Sequence, residues 1–257
     1  KIYSYNKSAE DVTDHTYTYF DDDPLTPEYF IGRWSIQKQK DLEKITKRTI
    51  GYMQLETEGV VLNTSYLNNA LVVAGNWGGE TNFPVTPVWT SRWLQDKLYN
   101  NGYSQVDTAF WHKGEGETAD SDYLTDIWSD GVGIVAYRGW GGTYRWAVPE
   151  FSVGDGTNNQ INDLENIWKL PVVFSFVCNT GNFQADECFG EALMLHGNSP
   201  NNPKGAVAVI SPSDEDTDTR FNNVMYSVMM DELLEGRIPE LAPALHAGKQ
   251  AIITEFG

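Results

Sequence analysis

Short apolar runs alternate with segments of helical periodicity from about residue 70 onward. The runs are rich in β-branched residues, and the segments between them place apolar residues three and four positions apart. The predicted strands are Ala70–Ala74, Val106–Phe110, Val132–Tyr137, Val172–Val177 and Ala206–Ile210. The predicted helices are Trp89–Asn100, Asp186–His196 and Phe221–Leu234. This alternation is typical of βαβ units and predicts an α/β fold with a mostly parallel central sheet.

The amino-terminal part of the chain follows a different pattern. It contains a predicted short strand at Tyr29–Gly32 and a predicted helix at Lys38–Met53. The apolar face of that helix would carry Leu42, Ile45, Ile50 and Met53. Residues 56–69 are polar and without a period, so we predict a linker there that leads into a sheet domain at residues 70–257.

Charge and hydropathy exclude two classes of partner. The chain carries 18 Lys and Arg against 36 Asp and Glu, a formal net charge of −18. Such a surface repels phosphate backbones and anionic lipid headgroups. The longest apolar runs, such as Leu170–Cys178, are far shorter than the ~20 residues that a membrane helix needs. We therefore predict no nucleic-acid partner and no membrane insertion.

The candidate chemistry lies where the predicted strands end. In an open parallel sheet, ligands and catalytic groups collect beyond the carboxyl ends of the strands. Four loops rich in glycine and polar residues share that edge; they begin at Gly75, Arg138, Cys178 and Ser211. Cys178 is the one strong nucleophile among them, although a free cysteine is more often a small buried apolar residue. Cys188, in the first turn of the next helix, favours the buried interpretation.

Several segments resemble the gingipain-like cysteine peptidases. The run Phe174–Phe183 (FSFVCNTGNF), followed by Glu187–Met194 (ECFGEALM), is similar to the segment that carries the catalytic cysteine of that family. The runs at 30–35 (FIGRWS) and 205–210 (GAVAVI) complete the match over nearly the whole chain. The resemblance implies a caspase-like α/β/α sandwich, with Cys178 as the thiolate nucleophile and backbone N–H groups near Gly141 holding the oxyanion. It also implies that residues 1–55 are the tail of a preceding subdomain, and that no cofactor is required for chemistry.

The sequence departs from the family at three functional positions. The family's general base is a histidine between two glycines of a strand-end turn, and Trp140 stands there in this chain. The acid that orients the histidine falls near Trp77, and the acid that reads a basic substrate side chain in Arg-specific members maps to about Pro87. Indole cannot accept a proton from a thiol, so Cys178 would lack its base.

Aromatic residues at the same edge offer a second kind of site. Tryptophan and tyrosine anchor peptides and protein partners because they bury a large apolar area at low entropic cost. The candidate binding residues are Trp77, Trp140, Tyr144, Trp146 and Pro87. Packing at the rim of the sheet is the alternative for these side chains. His112, which follows a predicted strand, is the candidate replacement for the missing base.

Acidic loops raise the question of calcium, which takes several oxygen ligands. The candidate ligands are Asp21, Asp22, Asp23, Asp214 and Asp216. No EF-hand spacing is present, and solvated turns are the alternative. We expect calcium at these loops only as a structural ion.

Two functional hypotheses follow from these residues. In the first, the chain is a gingipain-like cysteine endopeptidase domain of a secreted or cell-surface bacterial protein, impaired by the loss of its histidine. In the second, it is an inactive peptidase-like module that binds a peptide, a protein partner or other parts of a longer chain or assembly. The start at Lys1, without a leader, favours a mature or excised piece.

Overall fold

The computed structural model describes residues 12–21, 23, 25–76, 86–112, 116–117, 120–154, 159–215 and 217–257. The strands are β1 Glu56–Thr57, β2 Val60–Val61, β3 Asn69–Gly75, β4 Gln105–His112, β5 Gly116–Glu117, β6 Ile134–Arg138, β7 Gly141–Gly142, β8 Arg145–Ala147, β9 Glu150–Ser152, β10 Val172–Phe176 and β11 Ala208–Ile210. The helices are α1 Gln39–Gln54, α2 Pro87–Asn100, α3 Ser121–Asp130, α4 Gln160–Asp163, α5 Phe189–Leu195, α6 Thr219–Leu234 and α7 Leu241–Phe256. Short 3₁₀ turns lie at His15–Tyr17 and Ser65–Asn68.

The central sheet has six strands in the order β11-β10-β6-β3-β4-β5. The first five are parallel, and β5 adds an antiparallel strand at one end. β3, β6 and β10 are apolar and almost completely buried, as expected for strands covered on both faces. The predicted α/β fold with a mostly parallel sheet is therefore confirmed, and each of the five predicted strands forms a strand.

Helices cover both faces of the sheet and make a three-layer α/β/α arrangement. On one face, α2, α6 and α7 bury Leu94, Tyr226 and Ala244 against the sheet. On the other face, α3, α4 and α5 pack with a small antiparallel sheet formed by β7, β8 and β9. Sequence periodicity did not predict α3, α7 or this small sheet. The strands of the small sheet have two or three residues each, which is too short for alternation to show.

Helix α1 contradicts the predicted apolar face. Ile45 is buried as expected, but Leu42, Ile50 and Met53 are exposed. The buried positions are Ile45, Arg48 and Gly51, which follow one another at three-residue spacing along a different face. The side of α1 that packs on the protein therefore combines an apolar residue, a buried arginine and a glycine.

Arg48 makes this packing possible. Its side chain is completely buried, and its guanidinium donates hydrogen bonds to the carbonyl oxygens of Leu193 (3.0 Å), His196 (2.7 Å) and Ala206. Burial lowers the pKa of the Arg48 guanidinium to about 9. Three backbone carbonyls at the end of α5 and just before β11 thus replace the water that the cation loses.

The remaining amino-terminal predictions have mixed outcomes. Residues 29–32 have no strand conformation, so the predicted strand Tyr29–Gly32 is wrong. The predicted linker at residues 56–69 contains the β1–β2 hairpin and a 3₁₀ turn. The division of the chain into domains at this segment stays a prediction. No helix in the described part of the chain has the length and apolar character to cross a membrane.

We predict that Arg48→Ala lowers the free energy of unfolding by about 3 kcal/mol, because it strands three buried carbonyl oxygens and leaves a cavity. Ile50→Ala, on the exposed side of the same helix, is the matched control and should cost less than about 1 kcal/mol. Urea denaturation followed by circular dichroism measures both. Equal losses in the two variants would contradict the anchoring role of Arg48.

Candidate functional site

Pairing of β6 with β10 brings the predicted site together. The two strands are parallel neighbours, and Phe176 lies opposite Arg138 in their register. Cys178 and Trp140 each follow these partners by two residues, so both lie at the carboxyl edge of the sheet on adjacent strands. This confirms the expectation that the cysteine lies beside the Trp140 turn.

The Trp140 turn is fixed from below. The buried hydroxyl of Tyr137 donates to the carbonyl oxygens of Trp140 (2.8 Å) and Val148 (3.1 Å). A β-carbon at Gly139 would lie 2.6 Å from the Tyr137 hydroxyl, and one at Gly141 would lie 2.6 Å from the Arg145 carbonyl. Both glycines are therefore required by close contacts. The turn leaves the Trp140 side chain 53% exposed at the rim.

Cys178 is half-buried, and its hydrogen-bond partner is a hydroxyl. The sulfur lies 3.2 Å from Oγ1 of Thr217, the residue that precedes the N-cap of α6 by one position. The sequence analysis did not single out Thr217, since a lone threonine in an acidic loop carries no catalytic signal. The structure thus places a neutral hydroxyl against the candidate nucleophile.

The loop that begins at Cys178 is attached to two neighbouring segments. Asn179 has a left-handed backbone conformation (φ 61°). Its amide N–H donates to the Asp214 carbonyl (2.8 Å), and its side-chain nitrogen donates to Thr143 Oγ1 (3.0 Å). The loop after β11 and the β7–β8 turn therefore hold the cysteine loop from both sides.

Trp146 corrects one of the binding predictions. Its side chain has no exposed surface and stacks on Tyr137, with ring centroids 4.4 Å apart. Its indole N–H donates to Ser175 Oγ (2.9 Å), which in turn lies 2.9 Å from Thr180 Oγ1. Trp146 therefore belongs to the core beneath the cysteine loop and cannot contact a ligand at the surface.

The other candidate binding residues also differ in their exposure to solvent. Tyr144 is 54% exposed at the β7–β8 turn and lines a cavity of about 560 Å³ together with Glu150, Asp186 and Glu187. Pro87 is buried in the first turn of α2, so the prediction that it contacts a ligand is wrong. Trp77 lies outside the described residues.

Next to the site lies the buried side chain of Arg138. The sequence analysis did not predict that this charged group is buried. It ends β6, and its guanidinium donates to the carbonyls of Phe176 (2.7 Å) and Thr219 (3.3 Å) and to the Asn223 side chain. It thereby joins β6, β10 and the start of α6, and its contact in β10 is Phe176, two residues before Cys178. The sequence signal that could have predicted its burial is its position directly after the apolar run of a predicted strand.

The described hydrogen-bond partner of the Cys178 sulfur is Thr217 Oγ1 and not a histidine. His112 ends β4, which is separated from β10 by β6 and β3, roughly 14 Å at the usual strand spacing. His196 follows α5, where burial lowers the pKa of its imidazole and its Nε2 lies 3.4 Å from the Leu164 carbonyl. His15 and His246 lie on the amino-terminal segment and on α7. The prediction that His112 replaces the base receives no support from this placement.

In the first candidate calcium loop, the described carboxylates accept hydrogen bonds from neighbouring residues. Asp23 accepts from the Leu25 amide and the Thr26 hydroxyl, and these bonds lower the pKa of its carboxyl. Asp21 accepts from the Asp23 amide. Asp22 and Asp216 lie outside the described residues. Within the described part, no group of three potential metal ligands occurs, and calcium at these loops stays a prediction.

Comparison with known proteins assigns the family. The family model for peptidase family C25 matches residues 1–256, so the chain belongs to that family of cysteine peptidases. It is 28% identical over 186 residues to gingipain R2 of Porphyromonas gingivalis, which covers 72% of this chain and 23% of gingipain R2. Gingipain R1 of Porphyromonas gingivalis is also 28% identical, over the same share of this chain and 17% of its own length. The chain thus spans less than a quarter of these relatives.

Solved structures agree with this fold. The crystal structure of the Arg-specific cysteine proteinase gingipain R (RgpB) superposes with a TM-score of 0.81 at 23% identity, covering 98% of this chain and 56% of that one. The complex of the Porphyromonas gingivalis RgpB pro- and mature domains gives 0.77, also at 23% identity, covering 95% of this chain and 55% of that one. The gingipain fold implied by the sequence resemblance is confirmed.

We predict that iodoacetamide at pH 7.5 modifies Cys178 in the folded protein and leaves Cys188 unmodified. Cys188 is buried at the N-cap of α5, and this burial raises the pKa of its thiol to about 12. Less than ~0.1% of it is thiolate at that pH, and thiolate is the reactive form. Peptide mass mapping before and after denaturation measures the labelling. Comparable modification of both cysteines in the folded state would contradict the prediction.

Proposed function

We propose that this peptidase-family domain binds an extended peptide or protein segment at the carboxyl edge of its sheet and does not hydrolyse it by a cysteine–histidine mechanism. The single observation that carries the proposal is the occupant of the turn beside Cys178. Trp140 lies there, exposed and rigidly held, where the family resemblance calls for an imidazole.

The chemistry of thiol catalysis supports this conclusion. Hydrolysis through a thioester needs a base to form the thiolate and an acid to protonate the leaving amine. Neither the indole of Trp140 nor the hydroxyl of Thr217 performs these proton transfers near neutral pH. These two side chains therefore supply neither step.

The same residues favour binding. Trp140 and Tyr144 are each about half exposed and sit on neighbouring turns that the core holds in place. Rigid aromatic side chains on a fixed backbone are typical anchors for partners, since little conformational entropy is lost on contact. A peptide laid along this edge would cross Trp140 and the mouth of the Cys178 loop.

The second candidate is an active cysteine endopeptidase. One observation favours it: Cys178 is partly accessible at the strand end where the family's nucleophile is expected. In this case the base and the acid would have to come from residues 77–85, from another part of a longer chain, or from a partner.

Family resemblance supports a proposal for the natural context of either function. The relatives are bacterial gingipains, and one structural neighbour was solved as a complex of pro- and mature domains. By family resemblance, we propose a secreted or cell-surface bacterial setting. We further propose that the partner is a protein or a peptide. A segment of the same longer protein counts among these partners.

We predict no peptide hydrolysis by the unmodified protein, by Cys178→Ala or by Trp140→His. The family resemblance puts Trp77 where the acid that orients the histidine would stand, so we expect the tautomer of a single histidine at position 140 to stay unfixed and the thiol to stay unactivated. The assay uses a mixture of fluorogenic peptides with varied side chains at the cleavage site. Hydrolysis by the unmodified protein that disappears in Cys178→Ala would overturn the proposal and restore the endopeptidase.

We predict that Trp140→Ala weakens binding of peptides selected from a displayed library by roughly 30-fold, corresponding to the loss of about 2 kcal/mol from a central aromatic anchor. Tyr99→Ala is the matched control, because Tyr99 is similarly exposed but lies near the end of α2, at the opposite edge of the sheet. Fluorescence anisotropy measures both affinities. Equal affinity in the Trp140→Ala variant and the unmodified protein would remove Trp140 from the site.

A further inference from the structure

The amino-terminal segment, residues 12–36, is held on the protein by side chains rather than by secondary structure. Apart from the 3₁₀ turn at His15–Tyr17, its described residues contain no helix or strand. It lies along α7, where the Phe30 ring contacts the His246 ring with centroids 6.0 Å apart. The Gln250 side-chain nitrogen donates to the Leu25 carbonyl at 2.6 Å.

The Gln250 amide determines the protonation state of His246. The same side-chain nitrogen of Gln250 lies 2.9 Å from His246 Nε2. An amide nitrogen donates and does not accept, and the bond to Leu25 fixes which end of the amide is nitrogen. His246 Nε2 must therefore accept, which requires a neutral imidazole with its proton on Nδ1.

Burial and the cationic groups near His246 act in the same direction. Lys249 of α7, and His15 and Asp14 of the amino-terminal segment, line the same cavity of about 180 Å³. Asp14 is engaged by the Arg33 guanidinium through two hydrogen bonds. Burial, with further contributions from Lys249 and His15, lowers the pKa of His246 below its ordinary 6.5. The docked segment thus favours the neutral ring.

Other residues of the segment, and Gln37 beside it, contact the cysteine loop and the loop after β11. The Arg33 guanidinium lies 4.1 Å from the centroid of the Phe183 ring, five residues after Cys178. Ser213 Oγ donates to the Val12 carbonyl (2.6 Å), and Gln37 Nε2 donates to the Asp186 carbonyl (2.8 Å). A change in the position of the segment would therefore reach the loop that carries Cys178.

We infer that His246 and Gln250 form a proton-sensitive clasp that holds residues 25–33 against α7 and releases them when His246 is protonated. A proton on Nε2 removes the acceptor for the Gln250 amide. The amide must then rotate to present its oxygen to the new N–H, which breaks the hydrogen bond from Gln250 to Leu25. The imidazolium also stands beside Lys249, whose positive charge opposes it.

The direction of the pH effect follows from proton linkage. Well above pH 6.5 His246 is neutral whether the segment is docked or released, and the clasp has its full strength. As the pH falls below 6.5, the released state takes up the proton first, so docking weakens until the docked state is protonated as well. Linkage of one proton allows the released fraction to rise up to about tenfold per pH unit in this window.

Hydrogen exchange of the full chain, expressed as protection factors for peptides that cover residues 25–36, tests the clasp between pH 7.5 and pH 5.0. In the unmodified protein we expect protection to fall severalfold at pH 5.0, while protection in β3 and β10 stays constant. His246→Phe keeps an aromatic ring against Phe30 but cannot take up a proton, so its protection should be the same at both pH values. Gln250→Ala should lower protection already at pH 7.5.

His196→Gln is the matched control, because His196 is also a partly buried histidine with a lowered pKa but lies at the end of α5. This variant should retain the pH effect on residues 25–36. Two results would overturn the inference: an unchanged pH effect in His246→Phe, or no pH effect in the unmodified protein. The measurement does not depend on peptide binding or hydrolysis, so the inference and the proposed function can fail separately.

Discussion

Parallel pairing between β6 and β10 is the constraint on which the site depends. Their register sets Arg138 opposite Phe176 and so brings the Trp140 turn and the Cys178 loop to adjacent positions on one edge. Further contacts at the site secure this pair of loops. Tyr137 holds the turn from below, Asn179 ties the cysteine loop to Thr143 and Asp214, and Trp146 fills the space beneath them.

Two buried arginines extend this constraint to the surrounding helices. Arg138 joins the two strands to the start of α6, and Arg48 joins α1 to the end of α5. Both guanidinium groups donate to backbone carbonyls, which cannot move away as a flexible side chain can. This fixes the helices relative to the sheet and leaves the exposed edge, with Trp140 and Tyr144, on a rigid base.

At this edge the Cys178 sulfur lies against the Thr217 hydroxyl, and Trp140 stands in the neighbouring turn where the family resemblance calls for a histidine. The proposed function rests on this replacement and assigns the exposed aromatic surface to contact with a partner. The amino-terminal segment reaches the same loop through Arg33 and Phe183, which links this edge to α7.

The sequence by itself determined the class of fold and the location of the site. Periodicity placed all five parallel strands, because burial on both faces leaves a continuous apolar run that is visible locally. The loops that follow the predicted strands at one edge of the sheet then pointed to Cys178 and Trp140 as site residues. The resemblance to the gingipains gave the family, and it predicted that Trp140 occupies the position of the family's general base.

Tertiary structure alone decided which side chains face the solvent and which meet across the chain. Arg48 is buried while Leu42 and Met53 of the same helix are exposed, because three distant carbonyls satisfy its charge. Trp146 and Tyr144 lie two residues apart, yet one is core and the other surface. Thr217 meets Cys178 from 39 positions away. The hydrophobic pattern of a sequence reveals only the periodicity of each local segment. These contacts depend instead on the register between strands and on residues that are distant in the sequence.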